Sequence, residues 1–305
     1  MTTTRRTFAA AALSALAVGA LSTGAVAEDW RKQHPTLTLG VITAENEADR
    51  VTRYKPVQAY FENELGVKIE WRSATDYAGI IEGVKAGKVD IARFGPASYS
   101  KAWIVTNGEV EPLVGDLRGG RFGYFSVVVV KNDSDYQKLD DLKGKKFAFA
   151  DPNSTSGHQA PRYFMTEAGY DVDSFFGETA FSGSHENSVI ALLNGTFDGA
   201  ATWYNDETWS NFKRMVQKGM IEDGQVRVIW KSPRLPSSPW AMSTKLPEQM
   251  RKDVKAVLMA MQEKDPAAWE ALTSGKASGF REVTHEDYEA IVRMIKFNLR
   301  NRKAS

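Results

Sequence analysis

The sequence predicts an α/β protein of two successive units, with a ligand cleft between two lobes. Three observations predict it. Short β-type runs alternate with helix-period segments from residue 37 onward. The alternation breaks and then resumes near residue 122. A frame of Gly, an apolar residue, Asp and Ala recurs in GVKAGKVDIARF (83–94) and ALLNGTFDGAAT (191–202), so each unit carries the same helix–turn–strand joint. Such alternation implies mainly parallel sheets flanked by helices, with ligands outside the carboxyl ends of the strands. Equivalent loops on two lobes then face each other across a cleft.

The first unit reads in order. LTLGVIT (37–43) is a strand, and YKPVQAYFENELG (54–66) is a helix with Pro56 in its first turn and Gly66 at its stop. VKIEW alternates as a strand, DYAGIIEGVKAGK turns Tyr77, Ile80, Ile81 and Val84 inward as a helix, VDIARFG is a strand, and GPASYSKAWIV is a helix. The second unit runs through FGYFSVVVV, KFAFA, a helix from about Thr155 to Ala168, ETAFS, a helix over ENSVIALL, FDGAAT, a helix near ETWSNFKRMV, and VRVIW. KSPRLPSSPW (231–240) is a linker by composition, where the chain returns to the first lobe. From Leu246 the pattern is helical only. The expected lobes are 28–121 with 236–305, and 122–235.

Composition narrows the function classes. The chain has 305 residues, 42% hydrophobic and 25% charged, with a net charge of +1. No strong field points to nucleic acid. There is no cysteine, so export requires no disulfide. The start is a three-part secretory leader: Arg5-Arg6, an apolar run from Phe8 to Leu21, and Ala25-Val26-Ala27 at the cleavage position. Thr4-Arg5-Arg6-Thr7-Phe8 fits a twin-arginine signal as well as an ordinary basic segment, so both export routes stay open.

The chemistry concentrates at strand-to-helix joints. DPNSTSG (151–157) follows KFAFA and opens a helix. The first N–H groups of a helix lack partners and its dipole is positive there, so an anion is accepted readily. Ser154, Thr155 and Ser156 add rotatable donors, and Gly157 removes a side chain that could block close approach. Helix capping explains the same residues. At SGSHENSV, Ser184 or His185 starts a helix, and His185 is either a cap residue or an anion donor. His158 and His185 make no metal set, and no cofactor is implied. Trp203, Asn205 and Asp206 follow a strand, where either packing and capping or ligand contact suits them. Aromatic rings beside a carboxylate suit a small ammonium group. An enzyme would need Ser156 with His158 or His185 as nucleophile and base, but no nucleophile elbow supports it.

With these stretches in view, the chain resembles the phosphonate-binding periplasmic components of ABC importers. The resemblance rests on DYAGIIEGVKAGKVDIARFGP, GYFSVVVVK, DLKGKKFAFADPNSTSG, Ser184-His185 and VIWKSPRLP, in order over residues 37–240. It implies the type II periplasmic binding protein fold, two hinged α/β lobes that close on ligand, and no enzymatic activity. It also implies a periplasmic monomer that delivers a small phosphonate to an ABC permease. Tyr77 and Tyr124 match the family's cleft tyrosines, Ser154, Thr155 and Ser156 its phosphonate-oxygen ligands, and His185 its histidine donor. Of two acidic residues for the ligand's amino group, one matches Asp206 after a one-residue insertion, and the other falls at Ser238, which is not acidic. The resemblance thus favours 2-aminoethylphosphonate, with phosphite or methylphosphonate next and a secreted phosphorus-ester hydrolase as the different-class alternative. Hydroxyls and helix dipoles suffice in this reading, with no buried lysine or arginine required. The leader carries a direct expectation: N-terminal sequencing of periplasmic protein should begin at Glu28, and an intact Met1 there would contradict it.

Overall fold

The computed structural model describes residues 1, 2, 29–42, 45 and 47–301. Beyond its first two residues the expected leader lies outside them, as does Thr43. A one-turn helix α1 (Trp30–Gln33) leads into β1 (Thr36–Val41), α2 (Glu47–Leu65), β2 (Lys68–Arg72), α3 (Tyr77–Lys85), β3 (Ile91–Arg93) and α4 (Pro96–Val105). This is the expected β-α-β-α-β order, and β1 pairs in parallel with β2 and β3. Helix α2 starts about two turns before Tyr54, so Pro56 lies inside it rather than in its first turn.

Strands β4 (Val110–Arg118) and β5 (Arg121–Phe122) follow, and the chain crosses to a second sheet. There it forms β6 (Phe125–Lys131), β7 (Lys146–Phe149), α5 (Ala160–Glu167), α6 (Val172–Phe175), β8 (Glu178–Phe181), α7 (His185–Leu193), β9 (Gly199–Asp206), β10 (Trp209–Ser210), α8 (Asn211–Gln217) and β11 (Val226–Lys231). It then returns through β12 (Pro239–Ser243), α9 (Glu248–Lys264), α10 (Pro266–Thr273), β13 (Gly279–Glu282) and α11 (Glu289–Arg300).

The sheet orders are β13-β4-β12-β3-β1-β2, with β5 on β4, and β11-β6-β9-β7-β8, with β10 on β9. Both sheets are mixed rather than mainly parallel. β12 runs antiparallel to β3 and β4, and β6 runs antiparallel to β9 and β11. The parallel pairs come from the helix-connected units, and the strands that follow the two lobe crossings, β6 and β12, run the other way. β12 starts inside the stretch that reads as a linker, because Trp240, Ala241 and Met242 are fully buried between neighbours. β13 interrupts the segment that reads as helices only, pairing with β4.

Each sheet buries its own core. Leu37, Leu39, Ile91, Val114 and Trp240 share one cluster with α2 and α9, while Val128, Val130, Phe147 and Phe149 anchor another in the second lobe. The crossings lie side by side. Tyr124 N–H donates to Leu235 O at 3.0 Å, and Leu235 N–H returns a bond to Tyr124 O at 2.8 Å. Gly123, at φ 118°, makes this pairing possible, since a Cβ there would sit 2.4 Å from Leu235 O. The serines of the crossing act as stitches: Ser232 Oγ accepts from Ser126 N–H at 3.0 Å and Ser237 Oγ from Gly123 N–H at 2.8 Å. Helix α11 spans both lobes, burying Ile291, Met294 and Ile295 with Ala97 of α4, Ala160 of α5 and Leu235.

Candidate ligand-binding site

Between the sheets lies a cavity of about 140 Å³. Helical segments from both lobes begin at its wall. Tyr77 opens α3, Gly95 precedes α4, Thr155 opens a π-helical turn (Thr155–Gln159) that runs into α5, and His185 opens α7. The expected helix from Thr155 is thus a wide first turn followed by a regular helix. Local sequence explains each start. Asp76, Ser154 and Ser184 cap by accepting from Gly79 N–H at 2.8 Å, Gly157 N–H at 3.0 Å and Asn187 N–H at 3.1 Å. The capping expected at DPNSTSG is therefore present, and the same residues face the cavity.

Tyr77, Tyr124, Ser154, Thr155, Ser156, His185, Trp203 and Asn205 all line the cavity. The three hydroxyl residues are each 2% exposed. Ser154 Oγ lies 3.1 Å from His185 Nε2, and His185 Nδ1 lies 3.2 Å from Thr202 Oγ1. The Tyr124 phenol meets the Thr155 and Ser156 hydroxyls, and burial pushes its pKa up to about 12, so it stays a donor. Burial, with Arg214 nearby, lowers His185 to about 3. The imidazole is therefore neutral at pH 7, and so poor a base that it would not activate a serine. A hydroxyl, not a carboxylate, holds its far nitrogen. His158 stands elsewhere, its Nδ1 2.9 Å from Pro152 O and its ring between Phe149 and Phe181. Gly157 is needed for packing as much as for access: a Cβ would lie 2.5 Å from Ala150 Cβ and 2.9 Å from His185 Cε1.

Two of these groups also bridge the lobes. Thr155 Oγ1 accepts from Ala97 N–H at 2.8 Å, and Asp151 Oδ2 accepts from Tyr77 N–H at 3.2 Å. Ion pairs do the same nearby, Arg214 with Glu45 at 3.6 Å and Lys218 with Asp49.

Asp206 does not join the cavity lining. Strand β9 continues to Asp206, so side chains alternate faces: Trp203 and Asn205 reach the cavity, while Tyr204 and Asp206 alternate with them. Its Oδ1 accepts from Thr208 N–H, Thr208 Oγ1–H and Trp209 N–H at 2.8, 2.6 and 3.0 Å, shaping the turn into β10. Burial raises its pKa, but these bonds and Arg118 outweigh that and leave it lowered. The local sequence offered no cue that the strand would run this far.

The cavity also holds charges that the motif reading missed. Arg53, Arg93, Arg118 and Arg214 line it with Glu45 and Asp116. Glu45 pairs with Arg53 and Arg214, and Asp116 with Arg93 at 2.8 Å and Arg118 at 3.5 Å. Burial raises the Glu45 pKa, but Arg53 and Arg214 reverse the shift and hold it below the usual value. One signal was available: Arg93 ends the apolar strand of a β-α-β unit, the end at which such units take ligands. Asp116 and Arg118 lie on β4, which the pattern did not reveal. Among the described residues no helix is long and apolar enough to cross a membrane, and no group of three or more His, Asp or Glu is placed to hold a metal.

Two mixed α/β lobes that close helix starts and hydroxyls around one cavity define a solute-binding protein of the type II periplasmic class. The model of the family described as "ABC transporter, phosphonate, periplasmic substrate-binding protein" matches residues 39–288. The chain belongs to that family, whose members bind substrate for ABC importers and are not enzymes. It is 32% identical over 274 residues to the phosphate-import protein PhnD of Mycolicibacterium smegmatis, covering 84% of each chain. It is 35% identical over 214 residues to the phosphonates-binding periplasmic protein of Escherichia coli K12, covering 68% of this chain and 61% of that one. A solved binding protein component of an ABC phosphonate transporter from Pseudomonas aeruginosa superposes with a TM-score of 0.77 at 26% identity, covering 88% of this chain and 87% of that one.

The buried histidine gives a pH expectation. Unfolded, it titrates near 6.5; folded, near 3. Between these values only the unfolded chain takes up the proton. The contribution is therefore complete above 6.5 and lost as pH falls toward 3, with a slope approaching 1.4 kcal/mol per pH unit, about one proton's worth. Urea denaturation from pH 7 to 4 should show a shallower loss in His185→Asn than in the wild type. Equal slopes would contradict a neutral, buried His185.

Proposed function

We propose that the cleft holds a phosphonate by its oxygens against Ser154, Thr155, Ser156, Tyr77, Tyr124 and His185, and that the protein delivers it as a monomer to an ABC permease. The observation that carries this reading is the convergence of helix starts and buried hydroxyls on one cavity. A phosphonate offers three acceptor oxygens and up to two negative charges, and donors aimed at them form charge-assisted bonds. Each is worth about 1.5–3 kcal/mol. Several of them, less the ordering cost of closure, suffice for micromolar or tighter binding, about −8 kcal/mol. Trp203 and Asn205 would meet the rest of the ligand.

The geometry gives 2-aminoethylphosphonate less support than the resemblance did. That choice needs Asp206 at the ammonium group, and Asp206 is engaged outside the cavity. The carboxylates that do line the cavity, Glu45 and Asp116, each face two arginines. Phosphonates without an amine fit this charge better. One relative is a phosphate-import protein, so inorganic phosphate belongs among the test ligands.

Calorimetric titration with methylphosphonate, 2-aminoethylphosphonate, phosphite and phosphate tests the reading. Ser156→Ala should weaken every phosphonate by roughly ten- to a hundredfold, since all share the oxygens. Asp206→Asn should leave those affinities within about twofold and the stability nearly unchanged, since the Asn Oδ1 still accepts the turn's hydrogen bonds. Unchanged binding in Ser156→Ala would return the hydroxyls to capping alone. A selective loss of the aminophosphonate in Asp206→Asn would restore the ammonium assignment.

A further inference from the structure

Four guanidiniums and two carboxylates line the cavity, and the buried Glu186 meets Arg214 at 3.5 Å, so one formal positive charge stays in surplus. Several of their donors are idle. Arg118 Nη1 and the Nε atoms of Arg53, Arg93 and Arg214 are buried without a hydrogen-bond partner among the described residues. Such donors normally find acceptors, and a guanidinium left partly bare is costly. Arg118 is the least engaged: its ion pair is the 3.5 Å contact with Asp116, and it stands over the Trp209 ring at 5.8 Å. Trp209 packs against Trp203, which supports Arg214 at 5.2 Å. The ring pair thus pre-orients two guanidiniums. Arg214 is felt at His185, whereas Arg118, on β4 of the other lobe, is felt at Asp206 in the β9–β10 turn.

Room exists for a second group. A cavity of about 140 Å³ holds roughly ten water-sized groups at 10–15 Å³ each. A phosphonate head with one carbon fills about half of that. We infer that Arg118, with its neighbouring arginines, recognises a second anionic group, so that the cargo is a phosphonate bearing a carboxylate or another phosphoryl group a few bonds from phosphorus. This rests on the phosphonate reading above. Asp116 Oδ1 also lacks a partner, but an ammonium placed there would sit against Arg93 and Arg118 together. Carboxylate and phosphoryl oxygens both accept from a guanidinium fork.

The test is calorimetry on the full mature protein with methylphosphonate, 2-aminoethylphosphonate, phosphonoacetate and methylenediphosphonate. At least one of the two dianionic-ended ligands should bind about tenfold or more tightly than methylphosphonate, one charge-assisted contact's worth. The tighter of the two names the second group. Arg118→Gln should abolish that preference while leaving methylphosphonate within about twofold, and Arg118→Lys should keep most of it. The unliganded melting temperature of each variant separates this effect from misfolding. The inference fails if methylphosphonate or the aminophosphonate binds as tightly as both doubly acidic ligands, or if the preference survives in Arg118→Gln. If the inference alone fails, methylphosphonate still binds; absence of binding to all four ligands overturns the phosphonate reading with it.

Discussion

A helix that begins inside a protein leaves N–H groups with no partner and a positive end that favours negative charge. In this chain α3, α4, the turn leading into α5, and α7 all begin at one cavity. Side-chain caps satisfy some of the donors, and an anion suits the remainder. The other features follow from that constraint. The lining near these ends is made of neutral donors: three hydroxyls, two phenols and an imidazole kept uncharged by burial. Gly157 lets Ala150, Ser154 and His185 close around the turn.

The same residues join the two lobes. Thr155 bonds α4 of the other lobe, and Asp151 bonds the first N–H of α3. Beyond them, Glu45 meets Arg214 and Asp49 meets Lys218 across the cleft. The apolar bridge made by α11 and the paired crossings at Tyr124 and Leu235 also tie the two lobes together. A ligand in the cavity would touch both lobes and favour whichever arrangement it binds best.

Much of this was legible in the sequence where local chemistry decides structure. The β-α-β-α-β order, the DPNSTSG joint and His185 at a helix start follow from periodicity and capping residues. What was not legible depends on distant pairing. β4, β12 and β13 are strands because they pair with one another or with β3, and nothing local in VEPLVGDLR, PWAMS or GFRE requires it. The arginines of the cavity share that origin: Arg118 lies on β4 and Arg214 in α8, more than ninety residues apart, and only the fold brings them together. Asp206 failed as a cavity residue for a one-residue reason. A strand that runs through Trp203 and Asn205 turns its neighbours the other way.

The central claim is that phosphorus oxygens sit at the helix starts, not at the arginines. A crystal structure of the protein with methylphosphonate, located by its phosphorus, tests it most directly. The account predicts phosphonate oxygens within hydrogen-bond distance of Ser154, Thr155 and Ser156, with the methyl group toward Trp203. Phosphonate oxygens bound to Arg118 and Arg93, with the hydroxyl cluster facing the methyl group or water, would contradict it.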